Sequence, residues 1–219
     1  ADLSLASRAF YRALRIFVTG FFRLWLRLEV HGRDNVPEEG GFVLAPGGHR
    51  SILDTPIVAI ATPRMLRYMG AEKYFDAAGL GWFLRSVGGF PVERHATDRE
   101  AVRRSEEILI QGDPLVVFPE STRFEGPIVQ PIKDGAAFLA CRAGVPLVPI
   151  GIGGAERALP KGAKFLRPTR TTLVIGEPIW PPSRGEGERV KRSQVRAMSE
   201  ELHETLQILF DEAQIKAGA

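Results

Sequence analysis

Three short apolar runs constrain this chain most: Phe42–Ala45, Leu115–Phe118 and Leu147–Ile152 hold no charged or hydrogen-bonding side chain. A strand with one face in water alternates apolar and polar residues, whereas an unbroken apolar strand is covered on both faces. Met65–Gly70, Phe90–Val92, Thr171–Ile175 and a short stretch at Leu28–Val30 read as further extended segments. Between them fall segments of helical character: Ser51 to about Ala61, Lys73–Phe75, Gly79–Val87, Thr97–Gln111 and Lys133–Ala143. A last helix is expected from about Gly187 to Ala213, with Val195, Met198, Leu202, Leu206 and Leu209 on one face. Thr97 and Glu100 have capping-box spacing, and Gly112 and Gly144 fall where helices end. Strands alternating with helices specify an α/β domain with its sheet buried between helical layers.

At 219 residues the chain has room for one large domain and a short extension. The net charge of +3 gives no reason to expect a nucleic-acid partner. Cys141 is the single cysteine, which excludes an internal disulfide and a cysteine-built zinc cage; it reads as a small buried hydrophobe on a helix. His31, His95 and His203 have no partners at metal-ligand spacing, so no metal site is expected.

The segment from Leu5 to Leu28 lacks proline. Phe10, Tyr11, Leu14, Phe17, Val18, Phe21, Leu24, Trp25 and Leu28 recur in it at three- and four-residue steps. That is helical periodicity. Arg8, Arg12, Arg15, Arg23 and Arg27 interrupt the run, so it falls short of the roughly 18–20 apolar residues of a spanning helix. An arginine-bearing face beside an aromatic one suits a helix lying in a membrane interface, with guanidinium groups on lipid phosphates. The plainer alternative is a helix packed on the domain. The expected organisation is an amphipathic helix over residues 1–28 and an α/β domain over 29–219.

The richest segment is Gly47-Gly48-His49-Arg50-Ser51-Ile52-Leu53-Asp54. On one regular helix His49 and Asp54 would point about 140° apart, and on one strand they would face opposite sides. They meet only across a turn. The glycines supply the bend, Ser51 is a suitable N-cap, and Asp54 falls where a side chain faces back toward the cap. A carboxylate beside an imidazole fixes its tautomer, leaving the other ring nitrogen to take a proton from a hydroxyl. No serine sits in a G-x-S-x-G elbow, so direct attack by the substrate hydroxyl is simpler than an acyl-enzyme. Alone, the pair also admits a plainer reading: a turn histidine and a helix-capping aspartate.

His49-x-x-x-x-Asp54 resembles the first motif of the glycerolipid acyltransferases, the family of lysophosphatidic acid and glycerol-3-phosphate acyltransferases. Gly88-Gly89-Phe90-Pro91-Val92-Glu93-Arg94 resembles the second motif, Phe118-Pro119-Glu120-Ser121-Thr122-Arg123 the third, and Val145-Pro146-Leu147-Val148-Pro149 the fourth. Lys133-x-Gly135 is similar to a lysine–glycine pair between them. The motifs run in the family's order from about Gly41 to Gly151. Gly48 stands where the family usually has asparagine or serine, and Ser121 where it has glycine.

The resemblance implies a mixed, mostly parallel central sheet flanked by helices, with His49 as base and Asp54 orienting it. It also implies that the second and third motifs hold the acceptor phosphate. Arg94, Arg123 and Lys133 are the cations expected to do so, since strand ends and helix starts collect anions. Glu120, expected to anchor a glycerol hydroxyl or hold Arg123, is read with Ser121 and Thr122 as substrate-binding. The implied reaction moves a fatty acyl group from acyl-CoA or acyl carrier protein to 1-acylglycerol-3-phosphate. Glycerol 3-phosphate or another lysophospholipid is the alternative acceptor, and no cofactor is expected beyond the acyl-thioester co-substrate. A lipid-binding protein without activity and a metal-dependent hydrolase are rival readings. Arg157, Lys161, Lys164, Arg167 and Arg170, with Leu159, Phe165 and Leu166 among them, make a second basic stretch for anionic lipid or for CoA phosphates. The expected location is the cytoplasmic face of the cell membrane, peripheral or monotopic.

Overall fold

The computed structural model describes residues 5–92, 99–160, 162–183, 185 and 189–218, with side chains from residue 9 onward. Helices α1 (Leu5–Trp25), α2 (Asp54–Val58), α3 (Ala78–Ser86), α4 (Arg99–Ile110), α5 (Gly135–Ala143), α6 (Ala155–Ala158) and α7 (Arg192–Lys216) surround one sheet. Its strands are β1 (Glu29–His31), β2 (Val43–Gly47), β3 (Arg67–Ala71), β4 (Gly89–Val92), β5 (Leu115–Val116), β6 (Leu147–Gly153) and β7 (Thr172–Ile175). The seven-stranded order is β1-β7-β6-β2-β5-β3-β4. Strands β6, β2, β5, β3 and β4 run parallel, β7 pairs antiparallel with β6, and β1 runs parallel to β7. The sheet is therefore mixed and mostly parallel.

Alternation along β2 divides the core. Leu44 joins Phe22 and Leu26 of the first helical segment and its end, Ile57 and Val58 of α2, and Ala155 and Ala158 of α6. Val43 and Ala45 face the opposite layer, with Ile108 of α4, Leu139 of α5, and Met198, Leu202 and Leu206 of α7. Cys141 is buried on α5 in that layer.

Element boundaries differ from the sequence expectation where side chains compete with helix geometry. The helix expected from Ser51 is regular only over Asp54–Val58. The Asp54 carboxylate takes the Ser51 N–H at 2.9 Å and the Ser51 hydroxyl oxygen accepts the Leu53 N–H at 3.3 Å, so these side chains close a turn ahead of the helix and Leu53 occupies the N-cap. Pro56 is tolerated in that first turn because its missing N–H would have no helical partner. The last helix starts at Arg192, where the Lys191 N–H bonds the Gln194 side chain, rather than near Gly187. Thr97 of the expected capping box lies outside the described residues, and the Glu100 carboxylate is engaged by Arg103.

Because β2 and β5 are adjacent and parallel, the segments after them leave the same edge of the sheet side by side. The ladder continues one bond further, from the Val117 N–H to the Leu44 carbonyl at 2.9 Å. Those two segments carry the first and third motifs.

Candidate active site

Gly48 turns the chain after β2 with φ of +72°, a left-handed conformation that costs glycine little. The turn brings His49 Nδ1 to 2.8 Å from Asp54 Oδ2. The same oxygen accepts the Arg50 N–H at 2.8 Å and the Ser51 N–H at 2.9 Å. A carboxylate only accepts, so His49 Nδ1 carries the proton and Nε2 holds the free lone pair. Asp54 is fully buried while 15% of the His49 side chain reaches solvent. The imidazole lies against Phe118, with ring centroids 4.4 Å apart, which blocks one of its faces. His49 and Asp54 thus bond to each other rather than converging on a shared third point.

The third motif wraps this turn. Glu120 Oε2 accepts the His49 N–H at 2.8 Å, and Oε1 accepts the Gln130 N–H and Arg50 Nη1, each at 3.0 Å. The Glu120 side chain has no accessible surface. This corrects the expectation for Glu120: its oxygens are spent on His49, Arg50 and Gln130, so it builds the site and neither reaches a glycerol hydroxyl nor holds Arg123. Arg50 was missed as a site residue because a lone arginine in a turn reads as solvated. Its partner is Glu120, which the fold buries, and a buried carboxylate requires a partner; the sequence holds no sign of that burial.

Ser121 sits at φ +63°, the conformation that favours glycine, which accounts for glycine being usual there in the resemblance. Ser121, Thr122 and Arg123 are exposed. The Phe124 N–H bonds the His49 carbonyl at 3.0 Å, so Arg123 is next in chain to a residue tied to the imidazole's own backbone. Lys133 is exposed, and its N–H bonds the Pro119 carbonyl at 3.0 Å, which returns it to the same loop. Arg123 and Lys133 have no side-chain hydrogen bond or ion pair to any described residue. Arg94 lies outside the described residues, as do His95 and Lys161; β4, which leads to Arg94, ends at the same sheet edge.

Other expected features take structural tasks. Arg157 bonds the Ala217 and Gly218 carbonyls at the end of α7. His203 Nε2 lies 3.2 Å from the Val129 carbonyl. Val148 and Ile150 of the fourth motif's strand are buried in the core.

A family model described as Acyltransferase matches residues 27–153. This chain belongs to the acyltransferase family. Among members of that family, the Bacillus subtilis 1-acyl-sn-glycerol-3-phosphate acyltransferase is 28% identical over 153 residues, covering 69% of this chain and 73% of that protein. The Streptococcus pneumoniae protein of the same name is 28% identical over 177 residues, covering 78% of this chain and 63% of its own length. In fold, this acyltransferase resembles the crystal structure of the 1-acyl-sn-glycerophosphate acyltransferase PlsC from Thermotoga maritima. The TM-score is 0.70 at 24% identity, over 93% of this chain and 82% of that one.

Proposed function

We propose that this acyltransferase moves a fatty acyl group from an acyl thioester, acyl-CoA or acyl carrier protein, to the free hydroxyl of 1-acylglycerol-3-phosphate, giving phosphatidic acid. The observation that carries this reading is the 2.8 Å bond between His49 Nδ1 and Asp54 Oδ2 beside a loop bearing an exposed arginine. The names of the two bacterial relatives support the acceptor.

In this reading His49 Nε2 takes the proton of the acceptor hydroxyl as its oxygen attacks the thioester carbonyl. Asp54 holds the ring's tautomer and stabilises the imidazolium. The C–O bond forms, the C–S bond breaks, and the proton on His49 passes to the departing sulfur. A thiol of pKa about 8.5 leaves without a strong acid, so one histidine suffices. Arg123 and Lys133, with Arg94, hold the acceptor phosphate, where a guanidinium offers paired hydrogen bonds. Ser121 and Thr122 lie beside it, and the thioester is a co-substrate, with no further cofactor used.

The reading places the enzyme on anionic lipid at the cytoplasmic face of the cell membrane. No helix among the described residues is long and apolar enough to cross a membrane. Instead α1 exposes Ile16, Phe17, Phe21, Leu24 and Trp25. Phe17, Phe21 and Trp25 stack in sequence along it. Leu80, Trp82 and Phe83 of α3 extend this surface at Phe10, whose ring is 5.1 Å from Trp82. At its other end Trp25 Nε1 bonds the Leu166 carbonyl, next to exposed Phe165.

The test is product formation by purified protein from palmitoyl-CoA or palmitoyl-acyl carrier protein. The acceptor panel is 1-acylglycerol-3-phosphate, glycerol 3-phosphate and lysophosphatidylcholine. Phosphatidate from the first acceptor is expected; no ester from any acceptor with either donor rejects the reading.

A further inference from the structure

We infer that Arg50 is a positioning residue that sets the distance between the phosphate-holding loop and His49, so that the acceptor hydroxyl rather than water meets the imidazole. This rests on the acyl-transfer reading above and adds to it a determinant of where the acceptor lies.

The Arg50 side chain is 2% exposed, so it has no surface to offer a ligand. Its guanidinium is spent on protein: Nε donates to the Gly126 carbonyl at 3.2 Å and Nη2 to the Ile128 carbonyl at 2.7 Å. Nη1 donates to Glu120 Oε1 at 3.0 Å and to the His49 carbonyl at 3.3 Å. The group also lies over the Phe210 ring of α7, 5.2 Å from its centroid. An ion pair alone would need only Glu120. These further bonds fix the plane of the guanidinium and, through it, the path of residues 120–128.

That path carries Arg123. It is held to the His49 turn at Glu120, at the Phe124 N–H, at Gly126 and at Ile128. Meanwhile the Arg50 N–H bonds Asp54 Oδ2, the oxygen that holds the imidazole. One residue therefore joins the proton-accepting pair through its main chain and the cationic loop through its side chain. In a glycerol phosphate the separation of phosphate and hydroxyl is limited by a few covalent bonds. The base meets that hydroxyl only if the phosphate anchor stands at a matching distance, and a misplacement of about 1 Å costs on the order of 100-fold. Water has no such requirement, so a loosened loop penalises transfer more than hydrolysis of the thioester.

The experiment compares wild type, Arg50→Lys, Glu120→Gln and Arg50→Ala, using palmitoyl-CoA and palmitoyl-acyl carrier protein with 1-acylglycerol-3-phosphate. Thiol release gives total thioester cleavage, and product analysis divides it between phosphatidate and free palmitate. Folded fraction is measured by thermal melting. Lysine keeps the charge but lacks the planar fork. Arg50→Lys and Glu120→Gln are expected to lower transfer per folded molecule on the order of 100-fold, raise the acceptor KM, leave the donor KM unchanged and raise the palmitate fraction several-fold. Guanidinium added to Arg50→Ala is expected to restore part of the transfer, and none to His49→Ala. Variants with the wild-type product ratio and acceptor KM, whose activity follows folded fraction alone, overturn the inference. Wild type that makes no ester with either donor overturns the acyl-transfer reading, and the inference with it.

Discussion

Phe210 occupies the space that any side chain at Gly48 would need: a Cβ built on Gly48 would lie 2.2 Å from the Phe210 ring. The last helix thus presses directly on the turn that presents His49. The same contact repeats along the sheet. A Cβ on Gly47 would meet Leu206 at 2.9 Å, and one on Gly151 would meet the Leu209 carbonyl oxygen at 2.1 Å.

Gly151→Ala is expected to destabilise the protein by about 1–3 kcal/mol or more, because the obstacle is helix backbone that has no alternative rotamer. Urea denaturation of wild type and variant checks this. An unchanged midpoint would show that α7 is not seated as described.

His49→Ala is expected to lower transfer about 10²- to 10⁴-fold, the usual range for a positioned general base, with little change in folding. Asp54→Asn should lose a comparable amount while keeping the volume of the buried site. Rates with saturating donor and acceptor, alongside far-ultraviolet circular dichroism, decide it. Wild-type rates in folded His49→Ala would remove His49 from the role of base.

Arg123→Ala and Lys133→Ala remove exposed cations, so folding should be unaffected. Each lost charge-assisted contact is expected to cost roughly 1.5–3 kcal/mol of acceptor binding, about 10- to 150-fold in acceptor KM. The donor KM should stay put. Initial-rate kinetics varying one substrate at a time separate the two, and a rise confined to the donor KM would reassign these residues.

Sequence reached the α/β layering and the His49–Asp54 turn because both are written in local pattern: apolar runs for buried strands, and glycines with a short polar stretch for the turn. It did not reach Arg50. Nothing near position 50 announces that Glu120, seventy residues later, will be buried beside it, and burial is what turns an ordinary turn arginine into a clamp. It misjudged Glu120 for the same reason. The start of α2 lies later than expected because Ser51 and Asp54 bond across a turn that precedes it, and α7 starts at Arg192, where the Lys191 N–H and the Gln194 side chain close its first turn.

Tyr68 gives a pH-dependent prediction. Its hydroxyl is buried with no hydrogen-bond partner among the described residues, and burial pushes the phenol well above its ordinary pKa. Below about pH 10 the phenol is neutral folded and unfolded, and contributes no pH dependence. Above it the unfolded chain releases the proton and the folded one does not, so stability falls as pH rises. Tyr68→Phe should remove that part of the alkaline decline. At neutral pH it should be neutral or stabilising by about 1 kcal/mol, since an unsatisfied hydroxyl is lost. Melting temperatures of both proteins between pH 8 and about pH 11 test the difference.

The exposed aromatics of α1 and α3 predict binding to phosphatidylglycerol vesicles that weakens with salt, since the arginines contribute through screened charge. Phe17→Ser with Trp82→Ser should reduce cosedimentation several-fold without altering the melting temperature. Equal sedimentation of wild type and double variant would remove α1 and α3 from the lipid contact.

The family match stops at residue 153, yet the helix that props the His49 turn lies at Arg192–Lys216. A chain trimmed to the matched segment would retain all four motifs and lose the floor beneath the first of them. Motif inventory and competence are therefore separable in this protein, and grafting or truncation schemes drawn from matched boundaries should be expected to yield correct sequence around a collapsed turn.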